Sequence, residues 1–231
     1  MILMNHAMMG AAGYQAASTP SGDQFFWTPD AADAGGLPSN LEFDWPVDVD
    51  TAAEINVRVE DGFPWNGSPC LHFSFGNNTF AFVRLLSING VGIPEAEEIE
   101  LCVNSFYFSS FNNNALAIKM QPSTQTGYCF HHRLGHLRTV GPGRTWSELG
   151  TTIENSRPSM YRLRASNTEQ KAKAWLDGDL EPAAWGVEFA HTAFPGPGSP
   201  GVFNPFGSIG YLQIRSLGIG LNGAPAPMEP I

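Results

Sequence analysis

MYRLRASNTEQKAKAWLDGDLEPAAW, residues 160–185, alternates with a period of two on both sides of a polar break. Tyr161, Leu163 and Ala165 fall on one face and Arg162 and Arg164 on the other. After Asn167-Thr168-Glu169, Lys171, Lys173 and Trp175 oppose Ala172 and Ala174. This pattern predicts an antiparallel hairpin with one apolar and one charged face. Asp177-Gly178 then turns the chain, and Pro182 ends the pairing that would otherwise continue. Trp175 and Trp185 are read first as large apolar faces that fix one rim of a sandwich. Stacking of an exposed indole on a sugar ring is the other reading, with Trp65 as a further candidate outside the motif. Glu181 lies near Lys173 in sequence and faces the Arg162 strand, a placement suited to an ion pair.

Similar strands extend in both directions. AEINVRVED alternates Ile55, Val57 and Val59 with polar residues, CLHFSFG alternates Leu71, Phe73 and Phe75 with His72 and Ser74, and FAFVRLLSI ends at Asn89-Gly90, a hairpin signal. EEIELCVNSFYFSSF, ALAIKMQ, GYCFHHRLGHLRTV, WGVEFAH and SIGYLQIRSLGIGL also read as extended. Only TWSELGTTIENS, 145–156, suggests a short helix or turn. Short strands with turn signals about every 8–12 residues predict a sandwich or barrel. With 231 residues, 42% apolar and 16 Phe, the chain can bury a substantial core as one main domain with arms.

The succession GYCFHHR, MYRLRASNTEQKAKAWLDGDLEPAAW and SIGYLQIRSLGIGL resembles the C-terminal half of concanavalin A-like (laminin-G-like) jelly rolls, most of all those found in phage virion proteins. FDWPVD fits the same family in the first half. The resemblance implies an all-β fold: a two-sheet antiparallel jelly-roll sandwich of about six or seven strands per sheet, with extended N- and C-terminal arms. It implies no single activity, because lectins, glycanases and virion proteins share the scaffold. The expected divisions are an N-terminal assembly arm at 1–24, the sandwich at 25–221 and a Pro-rich C-terminal tail at 222–231.

Charge narrows the partners. The formal net charge is −10, and 14 acids lie between Asp23 and Glu100, while residues 1–120 hold three bases, Arg58, Arg84 and Lys119. Such a surface repels a phosphate backbone, so no nucleic-acid partner is expected. No stretch reads as a membrane span. Cys70, Cys102 and Cys129 are widely spaced, odd in number and set in apolar runs, which predicts buried free thiols and a reducing site of synthesis.

The segment before Asp23 carries no charged residue and four of the seven methionines. Its apolar residues Met1, Ile2, Leu3, Met4, Met8, Met9 and Tyr14 are the candidate partner interface, resting on apolar surface of a neighbouring subunit or of their own domain.

Motifs of chemistry are weak. In EAEEIELC, Glu98 and Glu100 share a face, as do Glu95 and Glu97. Glycanases of the family carry paired carboxylates at this spacing, because retaining cleavage places an acid and a nucleophile about 5 Å apart. The central Asp and the cleft aromatics of that pattern are missing, and a solvated strand face explains the run more simply. His131 and His132 point to opposite faces and cannot chelate one ion together, with His136 beyond a glycine. Asp44, Asp48 and Asp50 alternate but lack the loop spacing of a calcium site. No catalytic residue, metal ligand or cofactor is therefore assigned.

The resulting expectation is a non-enzymatic structural protein of a bacteriophage particle, a capsid decoration or tail component assembled in the host bacterial cytoplasm. It would dock through its arms to other virion proteins or to its own copies. The alternative is a carbohydrate-binding module for host surface glycans, with Trp27, Trp45, Trp65 and Trp146 as further aromatic candidates, or less simply a glycoside hydrolase.

Overall fold

The hairpin predicted for 160–175 forms with Arg162 opposite Lys173 and Leu163 opposite Ala172. The protein is described here from a computed structural model covering residues 23–44, 55–61, 67–76, 81–107, 115–131, 136–141, 146–151, 157–204 and 210–229. The candidate interface residues Met1, Ile2, Leu3, Met4, Met8, Met9 and Tyr14 lie outside the described residues, as do Trp45 and Trp65.

In chain order the strands are β1 (Gln24–Trp27), β2 (Leu41–Asp44), β3 (Ile55–Asp61), β4 (Pro69–Phe75), β5 (Ala81–Ile88), β6 (Val91–Gly92), β7 (Ile99–Tyr107) and β8 (Ala115–Gln121). They continue as β9 (Thr126–His131), β10 (His136–Val140), β11 (Trp146–Thr151), β12 (Ser159–Ala165), β13 (Glu169–Leu176), β14 (Val187–Ala190), β15 (Ser199–Asn204) and β16 (Gly210–Leu221). The first sheet runs β14-β13-β12-β7-β16-β4-β3, with β1 also on β16. The second runs β11-β10-β9-β8-β15-β5-β2, with β6 also on β5. The all-β, two-sheet jelly-roll sandwich is thus as expected. Among the described residues each sheet has eight strands, one or two more than expected, because β1 and β6 are short additions beside the main path.

Alternation explains the layering. Tyr161, Leu163, Ala165, Ala172 and Ala174 turn inward from the first sheet to meet Leu116, Ile118, Tyr128 and Phe130 of the second in one core. Phe130 and Tyr161 join the two sheets with ring centroids 5.2 Å apart. Phe73 stands edge-on to Phe43 at 5.7 Å and is fully buried. Each such side chain contributes about 1.5–3 kcal/mol by leaving water. Asn89 and Gly90 take φ of 53° and 74°, the left-handed pair of a two-residue hairpin turn, and so join β5 to β6 as read from sequence. All three cysteines are buried thiols outside any disulfide, and burial pushes Cys102 and Cys129 up to about 12.

Two expectations change. Trp146–Thr151, read as a helix or turn, is a strand pairing with β10 across a bulge between Leu137 and Arg138. A neighbouring sheet edge supplies the hydrogen bonds that a local helix would have made, and tertiary pairing overrides weak propensity. The only helical turn among the described residues is the 3₁₀ segment Ala31–Asp33, where Asp30 accepts from the Ala32 N–H. The second change concerns the Pro-rich tail. Beyond a turn at Asn222-Gly223, its described residues fold back onto the outer face of the first sheet instead of extending away from it. Gly218 and Gly220 make this approach possible, because a Cβ on either would lie 1.8 Å from the Pro227 carbonyl oxygen or 2.1 Å from that of Ala224.

Candidate functional site

The residues that alternate with the core positions form the outer face of the first sheet, and this face divides into two halves. The first is closed. Arg162 donates from Nε and Nη2 to Glu181, at 2.7 and 3.0 Å, and from Nη1 to Glu100 Oε1 at 2.6 Å and to the Ala226 carbonyl at 2.9 Å. Lys173 Nζ reaches Glu181 Oε1 at 2.6 Å and donates to the Pro182 carbonyl at 2.7 Å. Arg164 pairs with Glu98 in the next row. Burial alone would raise the Glu181 carboxyl, but the Arg162 and Lys173 hydrogen bonds hold it below the usual carboxylate range.

The second half lies over β3, β4 and the start of β16, where one cross-strand row holds Gln213, His72 and Arg58 in register. Glu60 joins them. Its Oε1 accepts from Gln213 Nε2 at 2.9 Å and lies 2.6 Å from His72 Nδ1, while Oε2 accepts from Arg58 Nε at 2.9 Å. Burial would raise the Glu60 carboxyl, yet the hydrogen bonds from Arg58 and Gln213 bring it below its ordinary value. Burial lowers His72 as well, against the opposing pull of Glu60, so its imidazole is neutral near pH 7.

The Glu60 carboxylate accepts only, so Gln213 presents its NH2 to it, and the amide orientation is fixed by chemistry. Gln213 Oε1 is then a buried acceptor without a partner, on a residue 1% exposed. Asn104, 5% exposed and on the same face, keeps Oδ1 in the same condition. Beside Gln213 and His72 stands Tyr211, 37% exposed, its ring centroid 5.7 Å from that of His72. An exposed aromatic plate next to fixed acceptors suits a ligand with an apolar ring face and hydroxyl donors.

The sequence candidates fall elsewhere. Trp175 is 6% exposed and packs with Cys102, Ala226 and Met160 beneath the tail, so it offers no face to a sugar. Trp185 is half-buried, with Lys173 Nζ 5.0 Å and Lys171 Nζ 6.0 Å from its ring centre, and acts as a cation–π lid on the closed half. Trp27 is buried and donates from Nε1 to Asn40 Oδ1 at 2.6 Å. Trp146 lies in β11, its side chain outside the described residues. Glu98 and Glu100 are each held by an arginine, and Glu100 also accepts the Ala226 N–H at 3.1 Å, which places it under the tail. The Glu181 ion pair with Lys173 and Arg162 forms as read from sequence. His131 is buried, Asp44 is exposed, and His132, Asp48 and Asp50 lie outside the described residues. Among the described residues no three His, Cys, Asp or Glu side chains converge on a metal position, and no helix is long and apolar enough to cross a membrane. Sequence reasoning passed over Tyr211 and Gln213, although SIGYLQIRS sets them on one face against Leu212 and Ile214.

This architecture is a two-sheet antiparallel jelly roll, a likeness of fold that solved structures share. The cellulose induced protein Cip1 superposes with a TM-score of 0.51 at 10% identity, over 80% of this chain and 93% of that one. Alginate lyase AlgAT5 from polysaccharide lyase family 7 gives 0.47 at 11% identity, over 78% and 94%. A tail fiber protein from an E. coli phage gives 0.39 at 12% identity, over 70% of this chain and 21% of that one. At these identities the likeness is one of architecture. No family model and no curated protein matches the chain.

Proposed function

We propose that the chain is a non-catalytic carbohydrate-binding sandwich whose glycan lies on the open half of the first sheet. The observation that carries this reading is the Gln213 amide: Glu60 fixes its NH2, leaving a buried carbonyl oxygen without a donor beside the exposed ring of Tyr211. A buried acceptor left unmade costs about 1–3 kcal/mol. Binding that draws Tyr211 aside and brings a sugar hydroxyl to Gln213 Oε1 relieves that cost, while the C–H face of the pyranose covers the Tyr211 ring. The site offers an acceptor and an aromatic plate, and Glu60 already accepts from Arg58 and Gln213, which suits binding more than general acid work.

A glycan array followed by titration calorimetry tests this. Bound glycans are expected, with affinity falling at least about tenfold in both Tyr211→Ala and Gln213→Leu, roughly 1.4 kcal/mol each. An empty array, or hits that ignore both substitutions, overturns the site. Release of shortened sugar from a bound glycan overturns the non-catalytic part.

A second reading concerns the setting. The uncharged, Met-rich segment before Asp23 supports a role for this sandwich as a structural component of a phage particle, docked to other virion proteins or to its own copies. Deleting residues 1–22 is expected to abolish incorporation into particles and leave the sandwich folded. Normal incorporation of the truncated chain removes this reading.

A further inference from the structure

Strand pairing does not hold the tail in place. Ala226 gives its N–H to Glu100 Oε1 and takes a hydrogen bond at its carbonyl from Arg162 Nη1, so side chains instead of a neighbouring strand read its backbone. The Pro225 carbonyl accepts from Gln24 Nε2 at 2.7 Å. Pro225 and Pro227 have no N–H to offer, and the single donor between them is the one that is taken. The Ala226 methyl group fills a buried slot beside Cys102, Met160 and Trp175, and Gly218 and Gly220 form the groove floor, where any side chain would strike the tail backbone. A fixed donor and acceptor, a slot for one small side chain and a floor cut for close approach are the parts of a peptide-recognition groove, and prolines on both sides reduce the ordering cost of the peptide that enters it.

We propose that this groove is a recognition site for a Pro-Ala-Pro segment, filled in cis by residues 225–227 and open to the same segment of a second copy, so that copies join by tail exchange. The occupant follows from the fit, since each copy carries the matching segment. The hinge is also short. Asn222 and Gly223, with φ of 53° and 89°, make the turn that directs the tail back onto its own sheet. Straightening that turn gives up the Ala224 N–H to Leu221 carbonyl bond while the Ala226 contacts re-form unchanged across copies. The inference stands apart from the glycan reading, which concerns the other half of the face.

The test uses the full chain with Gly223→Pro. Proline locks φ near −65° and forces Asn222 into an extended conformation, so the cis turn cannot close. Light scattering is expected to show the mass doubling, with the dimer fraction rising with concentration. Adding Ala226→Arg to that chain, or an excess of a synthetic peptide of residues 222–231, is expected to return it to monomer. A folded Gly223→Pro chain that stays monomeric, or dimers that survive Ala226→Arg, overturns the proposal. Should Gly223→Pro fail to fold, the full chain carrying Ala226→Arg, whose own tail cannot seat, is mixed with the fluorescent 222–231 peptide. Uptake that Ala226→Arg in the peptide blocks supports the groove, and absence of uptake overturns it.

Discussion

The two halves of the first sheet's outer face use the same kinds of residue to opposite ends. On the closed half, Arg162, Glu100, Lys173 and Glu181 satisfy one another and two backbone carbonyls, and none keeps a buried polar atom without a partner. On the open half, Glu60 accepts from Arg58 and Gln213 and lies 2.6 Å from His72 Nδ1, yet Gln213 Oε1 remains unmet. The difference lies in what covers each half. Backbone from the tail and from the segment after Asp177 completes the first network, whereas nothing among the described residues completes the second. A satisfied network specifies structure, and a network with acceptors left over has capacity for a ligand.

That contrast can be broken most forcefully at Arg162. Replacing it by Met strands Glu100 beneath the tail without its cation, and denaturant unfolding is expected to show a loss of about 3–5 kcal/mol. An effect under about 1 kcal/mol would mean that the closed network is not structural. Gly220→Val comes next. Its side chain meets the Ala224 carbonyl, so a loss of about 1–3 kcal/mol is expected, together with a rise in the reactivity of Cys102 toward thiol reagents as the tail lifts.

Acid acts on both halves with one sign. Glu60 and Glu181 are held below their ordinary range, so their contribution is complete above about 4.5 and is lost as pH falls through the lower folded values. His72 is also lowered, so the unfolded chain binds its proton first and stability declines as pH falls below 6.5. Melting temperatures measured across this range are expected to fall with acid, and His72→Gln is expected to remove the part of the slope nearest 6.5. The smallest effect is expected at Asn104→Leu. Exchanging an unmet acceptor for a shape of similar size is expected to leave stability within about 1 kcal/mol in denaturant unfolding. A large loss of stability there would show that Asn104 belongs to a network of its own.

The sandwich was legible because alternation survives in the residues that make it. Tyr161-Leu163-Ala165 against Ala172-Ala174 sufficed for a hairpin with one apolar and one charged face, which the structure reproduces. Trp146–Thr151 was not legible, since its pairing partner β10 is what makes it a strand. The site was harder. Glu60 and Gln213 meet across 153 residues of sequence, and no local period reports such a meeting. The tryptophans drew attention because their size suits sugar stacking, but the same size suits burial, and only the path of the tail decides between these at Trp175. Gly218 and Gly220, read only as part of an extended run, lie where the tail backbone closes on the sheet.

The position of β16 has a consequence for how the molecule is made. It is the last of the described strands and yet lies inside the first sheet, pairing with β7 on one side and with β4 and β1 on the other. Until residues 210–221 leave the ribosome, β7 and β4 both present naked edges on the sides that β16 later fills. Folding of the first sheet therefore waits for nearly the whole domain to be translated, and the nascent chain is open to aggregation and chaperone capture until then.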